Sequence, residues 1–217
     1  MTYVVGFVSQ KGGVGKSTLA RLLAREIAVG GASVKIADVD IQQGTSYEWA
    51  KRRALAGIEP QIRIETFGSV RTALREAADY DVYIFDGAPH ASRDTTEIAK
   101  AADLVVIPTA QGLDDLNPSI LLAHDLIGEG VPVERIAFAL VKVTDSAAET
   151  AAARAYITRA GYTVLEGELP VRTAYSKAHD AGRAVSEAQF PTLASRADGL
   201  AQSLVDAVAG GGMREAA

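Results

Sequence analysis

A glycine-rich segment near the amino terminus carries the residues with the clearest chemistry. The strand-like run YVVGFV leads into the turn sequence KGGVGKST, and an amphipathic stretch follows. Glycines in such a turn let successive backbone N–H groups face one concavity, and the first turn of the next helix adds its positive end. This order of strand, glycine-rich turn and helix predicts a phosphate-binding loop.

The side chains of this loop predict a magnesium–nucleotide site. Lys16 can reach the β- and γ-phosphates, the Ser17 hydroxyl can ligate Mg²⁺, and Thr18 can donate to the α-phosphate. The backbone of the loop is expected to cradle the phosphates, through Gly12, Gly13, Val14 and Gly15.

The first position of the loop departs from the common phosphate-loop pattern. That pattern requires glycine five residues before Gly15, where this chain has Gln10. A second lysine, Lys11, opens the loop instead. Two lysines on so short a loop need not serve the same nucleotide, so Lys11 is a candidate for the site of a neighbouring molecule.

Acidic residues close two further apolar runs. Asp38 and Asp40 follow the run SVKIA, and Asp86 ends the run DVYIFD. The carboxyl ends of buried strands are where α/β sheets place ligands, and a carboxylate there can hold Mg²⁺, usually through water. Asp86 is therefore predicted at the metal, while a helix cap or a turn remains the alternative for Asp38 and Asp40.

These motifs together resemble the ParA/MinD family of deviant Walker A ATPases, above all its small plasmid-type ParA partition proteins. KGGVGKST matches the family signature KGGxGK[ST]T, with the permitted serine at Ser17. DVDIQQG resembles the family segment D-x-D-P-Q at Asp38, Asp40 and Gln42, although Ile41 replaces the proline. YDVYIFDGAP resembles the family's second switch, in which four apolar strand residues end in Asp86, the Walker B position.

The resemblance implies an ATP-dependent partition or positioning switch. MgATP is expected to close a homodimer in which Lys11 crosses the interface, Lys16 contacts phosphate and Asp40 orients the attacking water. The implied metal ligands are Ser17, Asp38 and Asp86. The dimer is expected to bind DNA non-specifically, and a ParB-like or adaptor protein to stimulate hydrolysis. The segregated cargo would be plasmid or chromosome DNA or a cellular body, and the protein would be cytoplasmic and nucleoid-associated.

Candidate contacts to adenine and DNA lie elsewhere in the chain. By resemblance the segment ELPVRTAYSKA follows the last strand where the family wraps adenine, so Pro170 and Arg172 are candidates, with a proline-initiated turn as the alternative. The basic triplet Lys51, Arg52 and Arg53, in the predicted helix after the DVDIQQG segment, is either a solvated helix face or a DNA contact. All DNA candidates together are Lys51, Arg52, Arg53, Arg154, Arg159 and Lys177.

Composition excludes several rival functions. The 217 residues include no cysteine, which excludes disulfides, thiolate zinc sites and an iron–sulfur protein of the nitrogenase iron-protein type. The net charge of -5 argues against coating nucleic acid through bulk charge. A MinD-like membrane switch needs a basic amphipathic carboxyl terminus, which GGGMREAA lacks, so no stable membrane association is expected. A ligase of the dethiobiotin synthetase type would use the same loop, but DVDIQQG argues against it.

Alternating segments predict the fold that must position these residues. Short, continuously apolar runs predict strands covered on both faces, and alanine-rich amphipathic stretches between them predict helices. The result is a three-layer α/β domain with a mainly parallel twisted sheet of P-loop NTPase architecture. We expect one domain over residues 1–209, ending in a helix from Pro191 to Ala209, and a flexible tail over 210–217. The predicted strands are 3–8, 33–38, 61–66, 81–86, 103–108, 135–143 and 162–169, and the predicted helices before the last are 16–29, 45–56, 70–78, 93–102, 116–127 and 147–160.

Overall fold

A computed structural model describes residues 2–40, 44–88 and 93–214, the last four by their backbone alone. The strands are β1 Tyr3–Phe7, β2 Val34–Asp38, β3 Arg63–Thr66, β4 Val82–Asp86, β5 Leu104–Thr109, β6 Ile136–Val143 and β7 Thr163–Pro170. The helices are α1 Lys16–Val29, α2 Thr45–Leu55, α3 Val70–Ala73, α4 Arg93–Ala101, α5 Leu113–Gly128, α6 Ala147–Arg159, α7 Thr173–Asp180 and α8 Pro191–Arg214.

The strands of the described residues form one seven-stranded sheet in the order β3-β2-β4-β1-β5-β6-β7. Every pairing in it is parallel. The inner strands β2, β4 and β5 are buried along their whole length, whereas the edge strand β3 alternates between exposed and half-buried positions. The predicted α/β architecture is confirmed, and the sheet is wholly rather than mainly parallel.

Helices cover both faces of the sheet and bury two separate cores. One core combines Leu22 of α1 and Trp49 of α2 with Leu200 of α8. The other combines Ile98 of α4, Leu122 of α5 and residues of α6. Because β1 lies in the middle of the sheet, the loop that follows it is held between these two layers.

Some helix bounds differ from the sequence-based expectation. The predicted helix 70–78 is a short α-helix followed by a 3-10 helix, Leu74–Asp79. Helix α7, which was not predicted, buries only Tyr175 and Ala178, too few apolar positions for a clear helical period. Helix α8 continues to Arg214, five residues beyond the expected end at Ala209. Residues 215–217 lie outside the described residues, so the division into domain and flexible tail stays a prediction.

Membrane insertion has no candidate segment in the part of the chain that the structure describes. None of its helices is both long enough and apolar enough to span a bilayer.

Candidate nucleotide-binding site

The glycine-rich loop joins β1 to α1 with a backbone that only glycine adopts readily. Gly13 has φ +70° and Gly15, which caps α1, has φ +110°. A Cβ atom on Gly15 would lie 3.3 Å from the side chain of Val141 at the end of β6. Strand β6 therefore forms one wall of the loop, and the loop has little room for a larger residue.

A cavity of about 300 Å³ opens beside this loop. Most of the loop residues expected to bind phosphate line it, together with Asp40 from the segment after β2. The remaining wall comes from residues that the sequence did not single out. The full lining is Gly12, Gly13, Gly15, Lys16, Ser17, Thr18, Arg21, Asp40, Thr45, Gly87 and Lys142.

Lys16 is the buried cation of this cavity. Its exposed fraction is 7%, and burial lowers its pKa, while the charges of Asp86 and Asp40 act in the opposite direction. Its Nζ donates to the Lys11 carbonyl oxygen at 3.5 Å. No salt bridge holds it to a carboxylate of the described residues, so its charge is available to a phosphate.

Asp86 ends β4 next to β1 and is almost completely buried. Its Oδ2 accepts a hydrogen bond from the Ser46 hydroxyl at 2.6 Å, and within the described residues its buried Oδ1 has no partner. Burial raises the pKa of this carboxyl, and the hydroxyls of Ser46 and Ser17 and the charges of Arg21 and Lys16 oppose that rise. A buried carboxylate oxygen without a hydrogen-bond partner can be satisfied by binding a hydrated cation.

Asp38 lies opposite Asp86 in the parallel register of β2 and β4. Its Oδ1 accepts from the backbone N–H of Asp40 and its Oδ2 from that of Ser46, both at 3.1 Å. Burial, and then the charge of Asp86, raise its pKa to about 6. The carboxyl thus accepts a hydrogen bond from a backbone N–H in the first turn of α2, and both its cap role and its role as a metal ligand stay predictions.

These groups fit the magnesium ion that the loop implies. The Ser17 hydroxyl lies 3.3 Å from the Thr45 hydroxyl, so two neutral oxygens meet beside the cavity. Hard oxygen donors of this kind, with a carboxylate, suit Mg²⁺, which retains water and binds phosphate oxygens at such sites. Ser17 and Asp86 are therefore the residues that would hold it.

Lys11 points away from its own cavity. Its Nζ forms a salt bridge to Asp115 Oδ1 at 2.9 Å and also donates to the backbone carbonyl of Asp114. That carbonyl is free for a simple reason: its partner in helix α5 would be the N–H of residue 118, which is Pro118. The amino-terminal turn of α5 therefore binds the Lys11 side chain within the same chain.

Arg21 and Ser46 connect the Asp86 carboxylate to the rest of the fold, and sequence reasoning missed both residues. Arg21 Nε donates to Ser46 Oγ at 3.1 Å, and Ser46 in turn donates to Asp86. Arg21 follows Ser17 by four residues, which places both on one face of α1, so helical spacing could have found it. Its other end reaches His179 Nδ1 at 3.4 Å.

His179 should make folding stability depend on pH. Burial, together with the nearby cations Arg21 and Arg52, lowers its pKa from 6.5 to about 3. Because the unfolded chain takes up a proton near pH 6.5 and the folded chain does not, stability is lost as the pH falls below that value. We expect a loss of about 2 kcal/mol between pH 6.5 and about pH 5.

Urea denaturation at both pH values measures this loss. The matched variant is His179→Asn, which keeps an acceptor for Arg21 and cannot be protonated. The stability of this variant should fall less than that of the wild type between the two pH values, by the same amount. An equal fall in the two proteins would contradict the prediction that His179 stays neutral in the folded protein.

The adenine candidates lie apart from the phosphate cavity. Pro170 ends β7, is buried and pairs with Val143 of β6. The Arg172 guanidinium forms an ion pair with Asp145. Neither residue lines the cavity, so their role in adenine binding stays a prediction.

Two of the DNA candidates have other partners. Arg53 is neither a DNA contact nor part of a solvated helix face, so both expectations for it are wrong. Its side chain is fully buried and forms a salt bridge with Glu187 at 2.7 Å. It also stacks over Trp49. Arg154 donates to the carbonyls of Leu165 and Gly167 and so ties α6 to β7.

Two predicted switch residues cannot be placed. Ile41 and Gln42 of the DVDIQQG segment lie outside the described residues, as does the end of the second switch segment at Pro89.

Comparison with known proteins agrees with this geometry. Residues 5–185 match the family described as the CobQ/CobB/MinD/ParA nucleotide binding domain. Protein ParA of Rhizobium radiobacter is 28% identical over 179 residues, covering 80% of each chain. Maintenance of carboxysome distribution protein A of Gloeobacter kilaueensis is 32% identical over 122 residues, which are 56% of this chain. The match spans 55% of that relative's own length.

Solved structures share the fold. The cell division ATPase MinD of Pyrococcus furiosus superposes with a TM-score of 0.75 at 15% identity, covering 95% of this chain and 99% of that one. MinD of Pyrococcus horikoshii, complexed with Mg-ADP, has the same TM-score and identity and covers 94% and 96%. The predicted resemblance and fold are confirmed. Because the family match covers well over half of the chain, this protein belongs to the CobQ/CobB/MinD/ParA nucleotide-binding family.

Proposed function

We propose that this protein is a partition or positioning switch in which MgATP closes a homodimer, the dimer binds DNA without sequence preference, and a ParB-like or adaptor protein stimulates hydrolysis. The observation that carries the proposal is the divergence of two lysines on one loop. The Lys16 side chain lines the cavity, whereas the Lys11 side chain lies outside it and contacts α5. The carboxysome-distribution role in the name of one relative supports a positioning function.

Within one chain the site can bind and orient a triphosphate. The loop N–H groups and the buried Lys16 charge meet phosphate oxygens, and the positive end of α1 adds to them. Magnesium, when bound, neutralises charge on the phosphates. Asp40 lines the same cavity and is the candidate for orienting the attacking water.

Lys11 supplies the link between two chains. Its side chain is 43% exposed, so it can leave Asp115 and reach the phosphates of a second molecule. A pair this exposed contributes no more than about 1 kcal/mol, which is small against charge-assisted bonds to a phosphate. ATP in one chain would therefore hold the lysine of the other.

The surface offers a small set of free cations for DNA. Lys51 is exposed but is paired with Glu48 at 2.7 Å, and the Arg52 side chain lies next to the half-buried His179. Arg159 and Lys177 are exposed and form no salt bridge with the described residues. We therefore favour these two as phosphate contacts, doubled when a dimer forms.

Fluorescence anisotropy on two unrelated duplexes, with ATP or ADP and across a salt series, tests this function. If each dimer makes four phosphate contacts, raising the salt concentration from about 50 to about 200 mM should weaken DNA binding about 100-fold. The ATP form should bind both duplexes alike, and an Arg159→Ala, Lys177→Ala double variant should lose most of that affinity. Lys51→Ala is the matched control, because Glu48 already offsets its charge.

Equal and negligible binding with either nucleotide at low salt would contradict the DNA part of the proposal. Failure of ATP to produce a dimer would contradict the switch itself.

A further inference from the structure

A third lysine stands at the phosphate loop. We propose that Lys142, at the end of β6, contacts a phosphate of the nucleotide bound in its own chain; this inference rests on the nucleotide site of the proposed function. Lys142 lines the same cavity as Lys16 and Ser17. Its Nζ lies 4.0 Å from the position that a Cβ atom of Gly13 would occupy.

The face pattern of β6 shows how Lys142 comes to point there. Ala137, Ala139 and Val141 face the core that contains α1, while the residues between them face the opposite core. Strict alternation would send residue 142 to that opposite core and residue 143 back toward α1. Instead it is Val143 that lies in the opposite core.

Lys142 is therefore the extra residue of a β-bulge. The pairing of β6 with β7 shifts register between Val141 and Val143, at the same position. A bulge places one residue outside the alternation of the strand, and bulges beside active sites re-aim side chains. Lys142 belongs to neither core, and its side chain extends past the sheet end to the loop.

The backbone at this position is held in an uncommon conformation. Lys142 has φ +56°, and among the described residues it is the one amino acid other than glycine with a positive φ. A long side chain in the left-handed region costs free energy, and such residues concentrate at functional sites. Glycine or asparagine would adopt the same backbone more easily, so the fold retains a lysine there against its conformational preference.

The charge of Lys142 has no competing salt-bridge partner in the part of the chain that the structure describes. Lys11, Lys35, Lys51 and Lys100 each form a salt bridge with a carboxylate. Lys142, like Lys16, forms none within the described residues. An exposed ammonium beside the glycine loop lies in the part of the cavity that suits phosphate rather than an aromatic base.

Nucleotide titrations of matched variants test this role. Lys142→Asn removes the charge and tolerates the left-handed backbone, Lys142→Gly removes both the charge and the strain, and Lys142→Arg keeps the charge. The control is Lys100→Ala, a surface lysine outside the cavity that pairs with Glu129. Affinities for MgATP, MgADP and adenosine are measured by calorimetry or by displacement of a fluorescent ATP analogue, and thermal melting checks that each variant is folded.

We expect Lys142→Asn and Lys142→Gly to weaken ATP and ADP by about tenfold, the scale of one charge-assisted bond. Adenosine affinity should not change, Lys142→Arg and the control should match the wild type, and the deficit should shrink at high salt. Wild-type ATP affinity in both neutral variants, or an equal loss for adenosine, would overturn the inference. A wild-type protein that binds no ATP would overturn the proposed function and this inference together.

Discussion

Lys16→Ala should abolish measurable ATP binding while leaving a folded protein. The lysine lines the cavity, is buried and forms no salt bridge with a carboxylate of the described residues, so its charge is available to the ligand. Losing two charge-assisted hydrogen bonds to phosphate should cost about 3–5 kcal/mol, or about 10²–10⁴-fold in affinity.

Calorimetry with MgATP measures this loss, and thermal melting of the ligand-free protein checks the fold. Lys100→Ala is a matched control, since Lys100 pairs with Glu129 on the surface. An ATP affinity that survives Lys16→Ala undiminished would remove the assignment of the cavity to nucleotide phosphates.

Lys11→Ala and Asp40→Ala should have opposite effects on the dimer. If Lys11 completes the site of a second molecule, its loss should prevent ATP-dependent dimerisation even though ATP still binds. If Asp40 positions water, its loss should slow hydrolysis by about 10²-fold or more, so that the ATP dimer forms and persists. Light scattering with ATP over time separates the two.

Asp115→Asn refines the same experiment. It weakens the contact that holds Lys11 in its own chain while keeping a side chain of the same size. Because an exposed pair contributes up to about 1 kcal/mol, the ATP dimer should become about fivefold more favourable per subunit. A Lys11→Ala protein that dimerises like the wild type would exclude the two-chain site, whatever Asp115→Asn does.

Most of the phosphate loop could be predicted because its chemistry is local. The residues from Lys11 to Thr18 are consecutive, and glycine freedom and the helix start act on neighbours in the chain. Asp86 could be predicted for a related reason, since a carboxylate after an apolar run must lie at the end of a buried strand. The parallel register of β4 with β1 then places it beside the loop.

Other features depended on contacts between distant segments. Arg53 reads as part of a surface triplet, yet Glu187, 134 residues away, makes it a buried structural residue. Lys11 is held by the Asp115 side chain, 104 residues away, and by the Asp114 carbonyl, which Pro118 leaves free. No local pattern reports such partners, because hydrogen bonds and ion pairs are decided by which elements pack together.

Lys142 shows where local sequence patterns no longer predict the position of a side chain. Composition and periodicity determine that β6 is an apolar strand, and they would assign residue 142 to a face of the sheet. Only the bulge, set by the pairing of β6 with β7, takes the lysine out of that alternation and turns it toward the loop. The sequence by itself determined which residues can bind a phosphate, since that follows from side-chain chemistry and nearest neighbours. The tertiary structure decided which of them share one cavity, because strand register and helix packing bring together residues far apart in the chain.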